Sequence, residues 1–182
     1  MPPAGVLLLS GPPCSGKSSI GRLLAADRVH LEVDALFHLL LPGSDRGRED
    51  RMLGYDAAHV LARLALDRGR DVLLECTYAR REQRASLVAA APDTPLWVVE
   101  IHVPPDEAVR RFRGRRQETD LDEASVRERA AAFPYSDQAF RLTSAAAAPA
   151  DHARAVAAWL RGGPPPVRPD SWAAAGRPWN GP

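Results

Sequence analysis

The feature that most constrains the fold of this chain is a glycine-rich stretch at residues 11–18, between a short apolar run and a helical pattern. The apolar run ends at Leu9, and Ile20, Leu23 and Leu24 recur at the spacing of a helix that begins directly after the stretch. The stretch satisfies the Walker A pattern GxxxxGK[ST], whose glycines let successive N–H groups converge on phosphate oxygens at a helix N-terminus. The order strand, loop, helix predicts a phosphate-binding loop.

The residues of this loop have separate expected roles. Lys17 would contact the outer phosphate oxygens, and the Ser18 hydroxyl would ligate magnesium. Lys17 is the only lysine among 24 basic residues, so the chain uses a compact ammonium where a point charge must reach between phosphates. The expected nucleotide-binding residues are Gly11, Pro12, Pro13, Cys14, Ser15, Gly16, Lys17, Ser18 and Ser19.

Short apolar runs alternate with helical patterns along the rest of the chain, which predicts a parallel sheet with helices on both faces. In such sheets ligands bind at the carboxyl ends of the strands. We expect a charged surface loop at residues 44–51. The predicted strands are residues 5–10, 29–33, 72–74, 96–103 and 140–143, and the later helices are residues 35–41, 53–68, 80–91, 122–132 and 150–160, with another after Pro105.

The end of the chain has a different composition. We expect one domain at residues 1–161 and a flexible tail at residues 162–182, which is rich in proline and glycine. Trp172 and Trp179 leave a second reading open, in which the tail docks on the domain or on a partner subunit of a homodimer.

Charge and cysteine content narrow the classes of function. With a net charge of +1, the chain does not have the strong positive field that is expected of a nucleic-acid-binding protein. A nucleic-acid partner is therefore possible but less favoured than a small molecule. Two cysteines without metal-ligand spacing favour a reduced, cytoplasmic setting. No run approaches the roughly 18–20 apolar residues of a membrane span, so we expect no membrane association.

Two carboxylates follow predicted strands. Asp34 either caps the next helix or accepts the proton of an incoming hydroxyl during phosphoryl transfer. Glu75 ends the third strand, where burial would require a hydrogen bond or a cation such as magnesium; a substrate group or plain exposure are the other readings. Both would lie at the edge of the sheet that holds the loop.

Five arginines surround Gly114: Arg110, Arg111, Arg113, Arg115 and Arg116. Their guanidinium groups could close over the transferring phosphate as a lid. A solvated helix end and a basic patch for nucleic acid are the alternatives.

Taken together, residues 11–19, the strand end at Val33 and Asp34, residues 75–84 and the arginine-rich segment resemble the P-loop kinases grouped with the polynucleotide kinase domain, the zeta toxins and chloramphenicol phosphotransferase, which are ATP-binding kinases of AAA type. The resemblance covers residues 4–161. It implies a three-layer P-loop NTPase fold with a five-stranded parallel sheet in the order 2-3-1-4-5. It also implies ATP and Mg²⁺, and transfer of the γ-phosphate to a hydroxyl.

The resemblance also assigns residues. It makes Asp34 the group that activates the acceptor, and it places the lid arginines at Arg111 and Arg115; with Lys17 these are the expected catalytic residues. Ser18 and Glu75 are the expected metal ligands. At residues 75–77 the chain has Glu-Cys-Thr where the polynucleotide kinases have Asp-Thr-Asn or a similar triplet, which weakens the case for a polynucleotide acceptor.

The acceptor is expected to contact the helix after Asp34 and the end of the third strand. That helix is unusually apolar and resembles the corresponding stretch of chloramphenicol phosphotransferase, which favours a partly hydrophobic small molecule over a sugar acid; a core-facing helix is the alternative. The expected substrate-binding residues are Asp34, Phe37, His38, Glu75, Thr77 and Arg80.

Three hypotheses about function follow. The first is a kinase for a hydroxyl of a small molecule, such as an antibiotic or another secondary metabolite. The second is a 5′-hydroxyl kinase for RNA or DNA, and the third is an ATP-binding regulatory module without phosphotransfer.

Overall fold

A five-stranded parallel sheet lies at the centre of the fold, in a computed structural model that describes residues 4–114 and 121–179. The strand order is β2-β3-β1-β4-β5, and each neighbouring pair is parallel. The order predicted from the sequence is therefore confirmed. The strands are β1 (Val6–Ser10), β2 (Val29–Glu32), β3 (Val72–Glu75), β4 (Leu96–His102) and β5 (Phe140–Thr143).

Helices cover both faces of this sheet. Successive residues of a strand point to opposite faces, so Leu8 of β1 packs in the cluster with Tyr55 and Leu87, whereas Leu7 packs in the cluster with Ile20. Because the centre of the sheet is buried on both faces, the central strands β1 and β3 are almost entirely apolar, whereas the edge strands β2 and β5 include polar residues such as His30 and Arg141. The helices are α1 (Lys17–Leu24), α2 (Val33–Leu40), α3 (Arg48–Leu66), α4 (Arg81–Ala90), α5 (Pro105–Arg113), α6 (Glu123–Ala131), α7 (Pro149–Arg161) and α8 (Pro169–Ala174). In the described residues no helix is both long and apolar enough to cross a membrane.

Two helices begin earlier than the sequence pattern predicts. α2 begins at Val33, so Asp34 lies in the first turn of a helix and not at the end of an extended strand. α3 begins at Arg48, so the expected surface loop at residues 44–51 is wrong in its second half. Glu49 and Asp50 occupy the first turn of α3, where carboxylates interact favourably with the helix dipole.

The C-terminal segment at residues 162–179 is packed against the domain, so the expectation of a flexible tail is wrong for these residues. It contains α8, whose Trp172 side chain is 0% exposed and lies in the same core cluster as Leu8. The carbonyl of Trp172 accepts a hydrogen bond of 3.0 Å from Arg84 Nη1, and Arg177 forms a parallel bridge with Arg80. The tryptophans therefore dock on the domain itself.

Candidate nucleotide and acceptor sites

The loop between β1 and α1 has the backbone conformation that the glycine pattern predicts. Gly16 has φ 93°, a region in which glycine is unstrained, and α1 starts at the next residue. Gly11 has φ 153° and lies so close to β4 that an added Cβ would be 2.7 Å from the carbonyl oxygen of Ile101. Cys14 also has a positive φ of 63°. The loop is thus tightly curved around the N-terminus of α1.

Polar groups inside this curve are suited to an anion. Lys17 Nζ donates to the carbonyl oxygens of Gly11 and Pro12, each at 3.0 Å. The hydroxyl of Ser15 is fully buried, and its oxygen has no hydrogen-bond partner among the described residues. An ammonium, an unpartnered hydroxyl and a helix N-terminus together fit the phosphates of a nucleoside triphosphate.

Glu75 at the end of β3 is buried and faces the same loop. One carboxylate oxygen accepts a hydrogen bond from Ser18 Oγ, and the other lies 3.2 Å from His30 Nε2. Burial alone would raise the pKa of Glu75, but the hydrogen bonds from His30 and Ser18 and the charge of Lys17 outweigh it and lower this pKa. Glu75 is therefore held as an anion next to the hydroxyl that the sequence assigns to the metal.

Asp34 lies beside Cys76, the residue that directly follows β3. Its carboxylate is the acceptor for the Cys76 thiol, with Sγ and Oδ1 3.8 Å apart. Burial, and then the charge of Asp34, raise the pKa of the Cys76 thiol far above its ordinary range, so the thiol stays neutral and can donate. Asp34 itself is exposed and accessible to a bound acceptor.

Arg111 lies beside the phosphate loop, but it is anchored there. Its guanidinium donates to the carbonyl of Cys14 and to both the hydroxyl and the carbonyl of Ser144, and it is paired with Glu107. It forms one wall of a pocket of about 350 Å³ that adjoins Ser15, Gly16 and Ser19. Arg111 is thus held beside the phosphate loop by several hydrogen bonds. Arg115 lies outside the described residues.

The same pocket contains two residues that sequence reasoning missed. Ser144 directly follows β5, and His152 of α7 is buried with no partner for its Nε2 among the described residues. The rule that ligands bind at the carboxyl ends of strands could have indicated Ser144. No motif marks His152, which reaches the loop only through the packing of α7 on α1.

The remaining arginines of the predicted cluster that are described fit the solvated helix end. Arg110 pairs with Glu107 and Arg113 pairs with Glu123, and both arginines are more than half exposed. Arg116 lies outside the described residues.

The expected acceptor residues separate into two groups. Phe37 is buried and packs against Gly54 of α3, which corresponds to the core-facing alternative, and His38 is exposed, with its Nε2 at 2.6 Å from Arg46 Nη2. Thr77 and Arg80 line a second pocket beside the end of β3. The structure therefore brings Asp34, Glu75 and Thr77 to one edge of the sheet, but it does not place Phe37 at this pocket.

The fold and the phosphate loop define the class of this protein as a P-loop nucleotide-binding protein with the three-layer fold that the sequence predicted. Residues 6–135 match the family model AAA_33, described as an AAA domain, and the chain belongs to this family. No curated protein matches the chain in sequence.

Solved structures of kinases share the fold. A sugar kinase from Janibacter sp. HTCC2649 is 17% identical, with a TM-score of 0.69 over 89% of this chain and 97% of that chain. The APS kinase of Mycobacterium tuberculosis, in complex with AMPPNP and APS, is 21% identical, with a TM-score of 0.69 over 88% of this chain and 99% of that one. A gluconokinase from Sinorhizobium meliloti 1021 is 22% identical, with a TM-score of 0.65 over 87% of this chain and 93% of that one.

Proposed function

We propose that the protein transfers the γ-phosphate of ATP to a hydroxyl group of a small molecule. The observation that carries this proposal is the pair of consecutive residues at the end of β3: Glu75 contacts Ser18 of the phosphate loop, and Cys76 contacts Asp34. Two consecutive residues thus connect the loop for the phosphate donor to the carboxylate for the acceptor. Such positioning is most of what catalysis of phosphoryl transfer requires.

The roles of the side chains follow from this arrangement. Lys17 holds the outer phosphate oxygens, and Arg111 stabilises the phosphate loop through its hydrogen bond to the carbonyl of Cys14. Asp34 accepts the proton of the acceptor hydroxyl as its oxygen bonds to the γ-phosphorus, while the bond from that phosphorus to the bridging oxygen breaks and ADP leaves.

Magnesium fits the oxygen donors next to the phosphate loop. Ser18 Oγ and the Glu75 carboxylate are hard oxygen ligands, which Mg²⁺ prefers, and Glu75 is held ionised. When bound, the ion would neutralise charge on the phosphates. Glu75 and Ser18 would hold it directly or through water.

The comparisons support a small-molecule acceptor. The similar structures include a sugar kinase, an APS kinase and a gluconokinase, whose names all refer to small molecules. The net charge of +1 also offers little general attraction to a nucleic acid. A 5′-hydroxyl kinase for RNA or DNA is therefore an outcome for the experiment to exclude.

Asp34→Asn tests the function. We expect kcat for acceptor-dependent ADP release to fall about 10²- to 10⁴-fold, because the variant lacks the general base, while ATP binding is retained. The screen uses hydroxyl-bearing metabolites, nucleosides, antibiotics and 5′-hydroxyl oligonucleotides. Asp93→Asn is the matched control, since Asp93 is exposed and precedes β4 at the opposite edge of the sheet.

Unchanged turnover in Asp34→Asn would remove this residue from the role of base. ATP binding without ADP release from any acceptor would instead favour the regulatory module.

A further inference from the structure

Four arginines line the second pocket, which has a volume of about 160 Å³ and opens beside the end of β3. They come from separate parts of the chain: Arg51 from α3, Arg80 from the residue before α4, Arg129 from α6 and Arg177 from the C-terminal segment. The described residues that line this arginine pocket include no aspartate or glutamate. Guanidinium groups gathered in this way repel one another and attract an anion.

The arginine pocket adjoins the proposed site of transfer. Thr77 lines it and directly follows Glu75 and Cys76, which contact the phosphate loop and Asp34. The carbonyl of Thr77 is itself fixed by a hydrogen bond of 2.8 Å from Ser10 Oγ at the end of β1. Asp34 does not itself line the arginine pocket, and Thr77 and Cys76 connect the two, so an acceptor anchored in the pocket would have to extend past Thr77 to reach this carboxylate.

The C-terminal segment positions Arg177 at this pocket. The amide of Arg177 donates to the carbonyl of Ala79 at 2.9 Å, and its own carbonyl accepts from the amide of Arg81 at 2.7 Å. This approach requires a glycine at the preceding position, because a Cβ on Gly176 would be 2.8 Å from the Cα of Arg81. The backbone of Arg177 is thus held directly beside that of Arg80.

Arg80 is also held in place. Its Nη1 donates to the carbonyl of Pro178 at 3.0 Å, and its guanidinium lies 5.4 Å from the centre of the Trp179 ring. Arg51 and Arg129 have further interactions within the chain. The C-terminal segment therefore contributes one guanidinium of the pocket, that of Arg177, and holds a second one, that of Arg80, in place.

We propose that the arginine pocket binds an anionic group of the acceptor, a carboxylate, phosphate or sulfate, while the acceptor hydroxyl faces Asp34. This inference rests on the proposed function and names its substrate class. The pocket, with a volume of about 160 Å³, has room for the acid group of a bound acceptor. A small organic acid or ester fits this space, whereas the partly hydrophobic acceptor suggested by the sequence of α2 does not use these charges.

Acceptors that differ only in the acid group test this inference. ADP release by the full chain is compared for gluconate and glucitol, glycerate and glycerol, and glucose 6-phosphate and glucose. We expect the anionic member of at least one pair to be preferred more than tenfold in kcat/KM. Arg177→Gln should raise KM for that anion about 10- to 100-fold and leave the Kd of ATP unchanged, because one charge-assisted hydrogen bond is lost far from the phosphate loop.

Arg161→Gln is the matched control, because Arg161 is an exposed arginine at the end of α7 and away from the pocket. Equal use of the neutral members, an unchanged KM in Arg177→Gln, or preference for a 5′-hydroxyl oligonucleotide would each overturn the inference while leaving phosphoryl transfer intact.

A binding measurement separates this inference from the proposed function. With the phosphate loop filled by AMPPNP and Mg²⁺, the acids and their neutral partners are titrated by calorimetry. Selective binding of an acid that is weakened in Arg177→Gln supports the anion pocket even if no ADP is released. Failure of every acid to bind overturns it.

Discussion

Glu75 is the residue whose environment is most specific to the proposed chemistry. A buried carboxylate is costly unless it is compensated, and here Ser18 and His30 compensate it from two sides. α1 can approach this closely only because Gly21 has no side chain: a Cβ there would be 2.6 Å from Glu75 Oε2. The close packing of α1 on the end of β3 thus places the Ser18 hydroxyl and the Glu75 carboxylate together, where both could bind a cation.

Glu75→Gln is expected to weaken the use of magnesium. The amide keeps the shape and can still accept a hydrogen bond from Ser18, but it lacks the charge that attracts the ion. We expect the Mg²⁺ concentration for half-maximal ADP release, and for half-maximal binding of fluorescent ATP, to rise about 10- to 100-fold. Glu128→Gln, at an exposed position of α6, is the control. An unchanged Mg²⁺ requirement would exclude Glu75 from the metal site.

At the scale of elements, the sequence predicts the sheet well and the C-terminal segment poorly. The central strands are local apolar runs, and the glycine pattern marks the loop without help from the rest of the chain. The burial of Trp172 instead depends on Arg84, which is 88 residues away and donates to its carbonyl. Arg177 reaches the acceptor side through a similar long-range contact with Arg80, so local composition could not reveal either position.

Trp172→Ala tests whether the C-terminal segment is part of the folded domain. Removing a fully buried tryptophan leaves a cavity, so the free energy of unfolding should fall by about 3–5 kcal/mol. The measurement is urea unfolding followed by circular dichroism. Trp179→Ala is the matched comparison, because Trp179 is only half-buried and should cost much less. Equal midpoints for wild type and Trp172→Ala would mean that α8 does not dock.

At the scale of the whole molecule, Arg84 and Glu100 connect the sheet to the segments on its surface. Both side chains are 0% exposed and lie 3.5 Å apart, and Arg84 also donates to the carbonyls of Tyr78, Pro134 and Trp172. Glu100 accepts from the amide of Ser136. Burial raises the pKa of Glu100 to about 7, against the opposing effects of Ser136 and Arg84.

This raised pKa predicts a dependence of stability on pH with a definite sign. Because the folded-state pKa of Glu100 lies above the ordinary value of 4.5, its contribution to stability is complete below about pH 4.5 and is lost as pH rises through about 7. His59 acts in the opposite direction. Burial lowers its pKa from 6.5 to about 4, so its contribution is present above about pH 6.5 and is lost as pH falls through about 4. The two slopes oppose each other in the wild type.

In Glu100→Gln, the slope of the free energy of unfolding against pH should therefore be the one that His59 produces. Because Glu100 is mostly protonated at pH 5, the neutral amide should change stability little there, and the variant should become more stable relative to the wild type as pH rises to 8, since only the wild type must ionise a buried carboxylate. Urea unfolding between pH 5 and 8 measures this difference, with Glu49→Gln in the exposed first turn of α3 as the control. A difference that stays constant across this range would show that Glu100 does not titrate there, and that the buried pair joins sheet and surface as fixed charges.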